Sequence, residues 1–433
     1  MFRRKFMDTL VEWKNKKRTE CLLVKGARQV GKTFIIREFG KQNYKNVVEL
    51  NFFLFADHKK FFKGNLDANT IYSKLSLFFR DVKFDKDTLL FLDEIQYCGQ
   101  ARTALKFLAE DGRCDVIASG SMLGIAYKEI ASIPVGYEQQ VEMFSMDFEE
   151  FLWAKGLREE TISIFREHFI SKQKIDEYMN DTMLAYMREY MIVGGMPSVA
   201  KIFVESGGDY NAVHTEQEKI IASYLDDVAK YAPAAVKPKA RACYLSITKQ
   251  LAKETNKKFQ YALVEKDGTG RKFDTSIDWL KDAGLIKLCN NVSTPQFPLV
   301  AYEQNDYFKV YASDIGILIA MYGFEIKAEL YNNTLKGAVK GGIYENLIAD
   351  ILLKKRLPLN YFKLSENRQE IEFLYTHGSN VIPIEVKAGN TSSYSLNEFI
   401  AKYEPPYGLK FITGNIGQAD KKITMPLYMA MFL

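Results

Sequence analysis

This chain is built around one segment, Gly26-Ala27-Arg28-Gln29-Val30-Gly31-Lys32-Thr33. The segment fits the pattern G-x-x-x-x-G-K-[ST], in which backbone N–H groups surround a phosphate. The apolar run before it, Cys21-Leu22-Leu23-Val24, predicts a buried parallel strand. The residues after it, Phe34–Phe39, predict a helix that ends at Gly40. A strand, a glycine-rich loop and a helix in this order predict an anion-binding site at the start of the helix.

The residue types in this loop indicate which anion it binds. Gly26 and Gly31 allow backbone angles at which successive N–H groups converge on a phosphate. Lys32 is placed to reach the β- and γ-phosphates of a nucleotide, and the Thr33 hydroxyl to ligate Mg²⁺. A plain glycine-rich turn with a solvated lysine is the alternative, which the surrounding strand and helix disfavour. The segment therefore predicts ATP and Mg²⁺ as ligands.

Polar residues follow two further apolar runs in the first third of the chain. Thr88–Leu92 leads into Asp93 and Glu94, and Asp115–Ala118 leads into Ser119. Strands that alternate with helices predict a parallel sheet covered by helices on both faces. Because ligands bind at the carboxyl ends of such strands, we expect these polar residues to lie beside the glycine-rich loop.

The two carboxylates predict the hydrolytic half of the site. An acidic residue at the end of an apolar strand is typical of a Mg²⁺ ligand, which assigns Asp93 to the metal. A second carboxylate beside it can accept a proton from water, which assigns Glu94 as the general base. Ser119 or Ser121 is placed to sense the γ-phosphate, although a plain turn at these serines is an equal alternative.

These motifs together resemble the AAA-type P-loop ATPases of bacteria and archaea that carry a C-terminal domain of unknown function. The resemblance also includes Phe148–Leu152 and Gly194–Pro197 and covers nearly the whole chain. It implies an ATPase core followed by a small helical lid. One departure concerns hydrolysis, because Gly136 is followed by Tyr137 where many members carry a Gly-Arg pair. The source of an arginine finger, which accelerates phosphoryl transfer, is therefore open.

The rest of the chain predicts three further segments, which gives four domains in all. The ATPase core is assigned to 1–145, a helical lid to 146–235, a winged-helix-like domain to 236–325, and a C-terminal α/β domain to 326–433. The winged-helix prediction rests on two helices followed by a hairpin, and the resemblance agrees with it. Basic residues there favour phosphate contacts with DNA, and a protein-packing spacer is the alternative. They are Lys249, Lys253, Lys257, Lys258, Arg271 and Lys272.

The C-terminal domain contains a second pattern of charged residues. Glu345 lies in a predicted helix, Glu372 in an alternating strand, and Glu385 and Lys387 on one face of another strand. This set resembles the core of PD-(D/E)XK nucleases, a restriction-endonuclease-like fold. The resemblance implies that the carboxylates hold Mg²⁺ and that the lysine stabilises an attacking hydroxide. A solvated sheet face is the alternative, and Glu372 departs from the pattern because nucleases usually have Asp there.

Composition limits the partners and the compartment. The net charge of +5 arises from 59 basic and 54 acidic residues, so global charge does not argue for nucleic acid. Five scattered cysteines without a C-x-x-C pair favour a reducing compartment and no zinc site. The N-terminus has no apolar signal region, and no apolar run reaches membrane-spanning length. We therefore expect a cytoplasmic protein without a membrane partner.

Two functions remain open on the sequence alone. In the first, Mg²⁺-dependent ATP binding and hydrolysis is coupled to DNA binding or cleavage through the nuclease-like domain. In the second, the chain is a nucleotide-switched binding or signalling module whose nuclease-like fold is catalytically inactive. The second function implies a protein partner or nucleotide-dependent assembly into a homo-oligomer.

Overall fold

The computed structural model describes residues 2–16, 20–121, 136–253, 258–363, 370–389 and 393–433. The chain forms two compact units. The first, here called the N-terminal unit, comprises Arg3–Ser145 together with Asp282–Gly284. The second, the C-terminal unit, comprises Met146–Lys281 and Leu285–Leu433 together with the first two residues.

The N-terminal unit begins with an amphipathic helix and then alternates strands and helices. Phe6, Leu10 and Trp13 form the buried face of that first helix. The described elements are α1 (Phe6–Asn15), β1 (Cys21–Lys25), α2 (Lys32–Asn43), β2 (Asn46–Asn51), α3 (Ala68–Phe78), β3 (Thr88–Asp93), α4 (Gly99–Asp111), β4 (Asp115–Gly120) and β5 (Glu138–Glu142), with short 3₁₀ helices at Ala56–Phe62 and Ile95–Tyr97.

The strands described in this unit form one parallel sheet in the order β2-β3-β4-β1-β5. All six residues of β3 are buried, as expected for a strand covered by helices on both faces. This confirms the predicted parallel α/β core. Since the strands run in one direction, the loops after β1, β3 and β4 emerge at the same edge of the sheet.

The predicted end of α2 at Gly40 was wrong. The helix continues to Asn43, and Gly40 lies inside it. A Cβ atom at Gly40 would lie 2.8 Å from a methyl carbon of Val47 on β2. The glycine therefore permits close packing of the helix against the sheet rather than a turn.

The C-terminal unit begins with helices, as predicted for residues 146–235. The segment from 146 to 284 contains α5 (Phe148–Ala154), α6 (Glu159–Ser171), α7 (Glu177–Val193), α8 (Pro197–Glu205), α9 (Tyr210–Tyr231), α10 (Lys237–Leu245), α11 (Ile247–Leu251) and α12 (Gly270–Asp282). The Gly194–Pro197 segment separates α7 from α8. Gly195 approaches the backbone closely, because a Cβ atom there would lie 2.0 Å from the Met146 carbonyl oxygen.

The remainder of this unit is a mixed sheet with helices. The described elements are β6 (Ile286–Val292), β7 (Glu303–Ala312), α13 (Ile315–Met321), α14 (Glu325–Tyr331), α15 (Gly337–Lys354), β8 (Asn360–Lys363), β9 (Glu370–His377), β10 (Asn380–Val386), α16 (Tyr394–Tyr403), β11 (Gly408–Ile412), β12 (Gly417–Ala419) and β13 (Lys422–Pro426). The strands join in the order β12-β13-β11-β10-β9-β8-β6-β7.

This sheet crosses one of the predicted domain boundaries. β6 and β7 form the predicted hairpin after α12, and β6 also pairs in parallel with β8, opposing Asn290 to Asn360. The winged-helix-like segment and the C-terminal segment therefore share a sheet across the boundary at residues 325 and 326. The division into four domains stays a prediction. Among the described helices, none is both long enough and apolar enough to cross a membrane.

Candidate functional site

Strand order brings the predicted nucleotide-binding residues together. β4 lies between β1 and β3, so the residues that follow these three strands meet at one edge. Asn51 at the end of β2 lies opposite Asp93 at the end of β3. This edge of the N-terminal unit carries the predicted site residues, which are the loop Gly26–Thr33, Asp93, Glu94 and Ser119. We call this set the P-loop site.

The backbone of the loop depends on its two glycines for different reasons. A Cβ atom at Gly26 would lie 2.2 Å from the Met143 carbonyl oxygen, so only glycine fits beside that strand. Gly31 has φ 97° and precedes the first residue of α2. Gln29 also adopts a positive φ, of 65°. These angles turn the loop around the start of α2, where the unpaired N–H groups of a helix bind anions.

Lys32 is folded back onto the loop. Its ammonium donates to the carbonyl oxygens of Gly26, at 2.9 Å, and Ala27, at 2.7 Å. The side chain is 7% exposed, and burial lowers the pKa of its ammonium to about 8. In the described part of the chain, the hydrogen bonds of this buried ammonium go to neutral carbonyls, so the cation is available to a negatively charged ligand.

Asp93 is held by neutral donors on three elements. Its carboxylate accepts hydrogen bonds from Thr33 Oγ1 at 3.1 Å, from Asn51 Nδ2 at 2.8 Å, and from Ser119 Oγ. The side chain is buried, and burial raises the pKa of its carboxyl. A hydroxyl beside a carboxylate provides the hard oxygen ligands that Mg²⁺ prefers, so Thr33 and Asp93 fit this metal.

Glu94 lies directly after β3 in an uncommon conformation. Its φ of 55° and ψ of 47° are left-handed, which a residue other than glycine adopts at some cost. Burial, followed by repulsion from Asp93, raises the pKa of its carboxyl. The side-chain amide of Gln96 donates to Glu94 Oε2. The carboxylate predicted to act on water is therefore fixed in place beside Asp93.

The serines after β4 differ in their contacts. Ser119 is buried within the strand and donates to Asp93, so the plain-turn alternative is wrong for this residue. Ser121 lies between the Gln96 side chain, at 3.3 Å, and Arg28 Nε, at 3.4 Å. Arg28 also donates from Nη2 to the Tyr97 hydroxyl at 3.4 Å. Sensing of the γ-phosphate by either serine stays a prediction.

Some contributions to the P-loop site were missed at the level of sequence. Asn51 was not among the predicted site residues, yet its side chain donates a hydrogen bond to Asp93. Its position as a polar residue at the carboxyl end of an apolar strand was the available signal. The Val30 carbonyl accepts a hydrogen bond from Arg4, at 3.1 Å, which ties the loop to the segment before α1. The residues 136 and 137 precede β5, as expected, and carry no arginine.

The basic residues of the winged-helix-like segment do not form a uniformly positive face. On the exposed side of α12, Arg271 and Lys272 alternate with Asp274 and Asp278. Lys272 pairs with Glu265 at 2.7 Å. Lys249 and Lys253 lie near α11, Lys258 lies 3.4 Å from the centre of the Tyr307 ring, and Lys257 lies outside the described residues. DNA contact by this segment stays a prediction.

The structure brings the C-terminal charged residues together in the second unit. β9 and β10 are antiparallel with Phe373 opposite Ile384, which places Glu372 and Glu385 at neighbouring positions. Lys387 Nζ lies 3.0 Å from Glu372 Oε1 and 3.3 Å from Glu385 Oε1. Burial raises the pKa of the Glu372 carboxyl to about 7, although Lys387 opposes the shift.

A second buried lysine, missed by sequence reasoning, completes this group. Lys309 on β7 is fully buried, and its ammonium lies 2.9 Å from Glu370 Oε1 and 3.4 Å from Glu345 Oε1. Burial alone would lower the pKa of this ammonium, but the two carboxylates raise it above its usual value. A lysine in a strand is usually solvated, so no local pattern indicated this role. We call Lys309, Glu345, Glu370, Glu372, Glu385 and Lys387 the carboxylate–lysine cluster.

The lysines neutralise this cluster only in part. Two ammonium groups face four carboxylates, and Glu372 Oε2 and Glu385 Oε2 are buried without a hydrogen-bond partner in the described part of the chain. Among the residues that the structure describes, no group of three or more His, Cys, Asp or Glu side chains is arranged to hold a metal ion. Binding of Mg²⁺ by Glu345, Glu372 and Glu385 stays a prediction.

Comparison with protein families agrees with the geometry of the P-loop site. Residues 18–152 match the family model described as "AAA domain". This part of the chain is therefore similar to AAA domains, in agreement with the predicted resemblance. Residues 184–328 match "Domain of unknown function (DUF8612)", and residues 340–429 match "Domain of unknown function (DUF4143)". The restriction-endonuclease-like fold of the last segment stays a prediction.

Individual relatives are distant. The chain is 24% identical over 397 residues to "Uncharacterized protein MJ1544" of Methanocaldococcus jannaschii, which covers 87% of this chain and 75% of that protein. It resembles the solved Walker-type ATPase PABY2304 of Pyrococcus abyssi with a TM-score of 0.43 and 16% identity, over 74% of this chain and 96% of that chain. It also resembles the Aeropyrum pernix ORC1 protein solved in complex with DNA, with a TM-score of 0.30 and 11% identity, over 77% of this chain and 95% of that one.

Proposed function

We propose that the N-terminal unit binds ATP together with Mg²⁺ and hydrolyses it. The observation that carries this proposal is the convergence of Lys32, Thr33, Asp93 and Glu94 at one edge of the sheet. These four residues come from two segments far apart in sequence. Together they supply a phosphate-binding cation, two hard oxygen ligands and a carboxylate for water.

Each of these side chains has a defined task in the proposed reaction. The N–H groups at the start of α2 and the Lys32 ammonium bind the phosphates. To do so, the ammonium leaves the carbonyl oxygens of Gly26 and Ala27 and contacts phosphate oxygens instead. Mg²⁺, held by Thr33 and Asp93, would neutralise phosphate charge when bound. Asn51 and Ser119 orient Asp93 through their hydrogen bonds. Glu94 accepts a proton from the attacking water.

Binding of a fluorescent ATP analogue to Lys32→Ala tests this assignment. We expect the variant to lose at least about 100-fold in affinity, because the ammonium that faces the phosphates is removed. Lys41→Ala is the matched control, since Lys41 is exposed near the end of the same helix and pairs with Glu38. Tight ATP binding by the Lys32 variant would sink the proposal.

For the output of the ATPase, we propose the nucleotide-switched module rather than ATP-coupled DNA cleavage. The ion pairs of Lys309 and Lys387 support this choice, because they offset part of the negative charge of the carboxylates that a nuclease would use for Mg²⁺. The mixed charges on α12 likewise give DNA phosphates little to bind. In this proposal hydrolysis resets a conformation, and the partner is a protein or a second copy of the chain.

Cleavage of supercoiled plasmid distinguishes the two outputs. The plasmid is incubated with Mg²⁺ or Mn²⁺, with and without ATP, and with wild type or Lys387→Ala. We expect no nicking above background under any condition. Nicking that requires Lys387 and responds to ATP would establish the ATP-coupled nuclease instead. Gel filtration with and without ATP then tests for nucleotide-dependent assembly.

A further inference from the structure

The side-chain amide of Gln96, beside Glu94, uses its nitrogen in hydrogen bonds but not its carbonyl oxygen. Gln96 belongs to the 3₁₀ turn Ile95–Tyr97 that follows the catalytic carboxylate. Its Nε2 donates to Glu94 Oε2 and lies 3.3 Å from Ser121 Oγ. Its Oε1 is buried and has no hydrogen-bond partner in the described part of the chain.

The orientation of this amide is set by its surroundings. Rotating the amide by half a turn would place Oε1 against the Glu94 carboxylate, where two acceptors repel each other. Ser121 is itself held by Arg28 Nε at 3.4 Å, so the far side of the amide is also fixed. Because the same nitrogen contacts Ser121 and Glu94, turning Oε1 toward the Ser121 hydroxyl would also place it against the Glu94 carboxylate.

A buried carbonyl oxygen without a donor destabilises a protein by about 1–3 kcal/mol. A group of this kind in a native protein calls for an explanation, and a catalytic role or a bound water is one. The conformation of Glu94 adds a second observation, because its left-handed backbone at φ 55° is also unfavourable. Two unfavourable features within three residues of a catalytic carboxylate indicate that the geometry serves the reaction.

We propose that Gln96 is a catalytic residue that binds the attacking water, an inference that rests on the proposed ATPase function. Gln96 Oε1 accepts one hydrogen of the water while Glu94 accepts the other. The water oxygen forms a bond to the γ-phosphorus as the bond from that phosphorus to the β–γ bridging oxygen breaks. The electron pair of the broken bond stays with ADP, and the water proton passes to Glu94.

The pairing assigns separate tasks to the two side chains. Glu94 takes the proton, and Gln96 fixes the direction of the water lone pair toward phosphorus. The hydrogen bond from Gln96 Nε2 also holds the Glu94 carboxylate at the correct distance from that water. Correct alignment of a nucleophile is a large part of catalysis in phosphoryl transfer, where covalent chemistry by the protein is slight.

The test compares two nucleotide probes on Gln96→Met, which keeps the side-chain length and removes both polar atoms. AMP-PNP resembles the ground state, and ADP with aluminium fluoride resembles the transition state with its apical water. We expect kcat to fall about 10- to 100-fold, as for loss of one aligned catalytic group. Affinity for ADP–aluminium fluoride should fall by a similar factor, while affinity for AMP-PNP stays within about 3-fold of wild type.

The control variant is Gln100→Met, which makes the same chemical change at an exposed position four residues away. It should retain the turnover and both affinities of wild type. Gln96→Leu repeats the measurement with a shorter apolar side chain in case methionine disturbs folding, which AMP-PNP binding reports directly.

The outcomes separate this proposal from the ATPase assignment. Wild-type turnover by Gln96→Met overturns the role of Gln96 and leaves the ATPase intact. If Gln96→Met and Gln96→Leu each lose affinity for AMP-PNP and for ADP–aluminium fluoride by the same factor, the role is also overturned. Gln96 would then be a structural residue. A wild-type protein that binds neither probe would overturn the proposed function itself.

Discussion

The P-loop site and the carboxylate–lysine cluster contain the same kinds of side chain in opposite arrangements. In the P-loop site, Lys32 donates to backbone carbonyls, and Asp93 accepts from hydroxyl and amide groups. In the cluster, Lys309 and Lys387 contact the carboxylates directly. Lys32, Asp93 and Lys309 are all buried, where an isolated charge is unfavourable, so the partners of each charge matter.

The difference in partners determines what each site can bind. A charge whose partners are neutral groups retains most of its electrostatic attraction for a ligand. The ligand replaces those neutral groups at a modest cost in free energy. Charges that pair with each other in a buried site stabilise each other and leave little for a ligand. We therefore expect changes in the P-loop site to impair activity more than stability, and changes in the cluster to do the reverse.

The largest effect on activity is expected for Glu94→Gln. The variant removes the proton acceptor but keeps the shape of the side chain, so kcat should fall by about 10²- to 10⁴-fold. ATP should still bind, and the melting temperature should stay close to that of wild type. Single-turnover hydrolysis, ATP binding and thermal unfolding measure the three quantities. A variant that loses ATP binding together with turnover would contradict the assigned role.

The matching change in the cluster is Lys309→Met. Removing one partner leaves Glu345 and Glu370 buried without their cation, which should lower the free energy of unfolding by about 3–5 kcal/mol. Urea unfolding of the full chain measures this loss, with Lys281→Met on the exposed face of α12 as the matched control. The double variant Lys309→Met/Glu345→Gln should recover part of the loss. A loss no larger than that of the control would show that Lys309 is not essential to charge balance.

Asn51→Leu tests whether neutral donors are sufficient to hold Asp93. The variant removes the amide hydrogen bond to the buried carboxylate, at a cost of about 1–3 kcal/mol in stability. We also expect weaker Mg²⁺-dependent ATP hydrolysis, because Asp93 is then less well oriented. Thermal unfolding and the Mg²⁺ dependence of turnover provide the readouts. Unchanged values in both would remove Asn51 from the site.

The smallest effect should appear in the pH dependence of the cluster. The pKa of Glu372 is about 7 in the folded protein, above its ordinary value of 4.5. The stability contributed by its proton is present below the ordinary pKa and is lost as the pH rises through 7. Relative to wild type, Glu372→Gln should therefore gain about 1–2 kcal/mol between pH 5 and pH 8, since coupled neighbours share the titration. Parallel pH profiles of the two proteins would contradict this shift.

Local patterns were sufficient to predict most of the P-loop site. The loop, Asp93, Glu94 and the parallel sheet follow from short segments whose residue types have one physical explanation each. The helices of residues 146–235 and the hairpin of β6 and β7 were predictable for the same reason, because their periodicity and turn residues are local.

Interactions between distant segments were not predictable in this way. The burial of Lys309 depends on carboxylates from α15 and β9. The sequence of its own strand does not differ from that of a solvent-exposed edge strand. The position of Gly40 within α2 depends on how closely the helix packs against Val47, which no local pattern encodes. The same holds for Gln96, because contacts of its amide nitrogen with Glu94 and Ser121 determine the direction of its carbonyl oxygen.

The parallel pairing of β6 with β8 has a consequence for how the chain can be divided. Cutting the polypeptide near residue 325 would leave one fragment with a lone hairpin and the other with an uncovered β8. Each fragment would present a row of unsatisfied backbone groups, which promotes edge-to-edge aggregation. We therefore expect the region that matches DUF4143 to aggregate more readily when it is produced without the hairpin of β6 and β7.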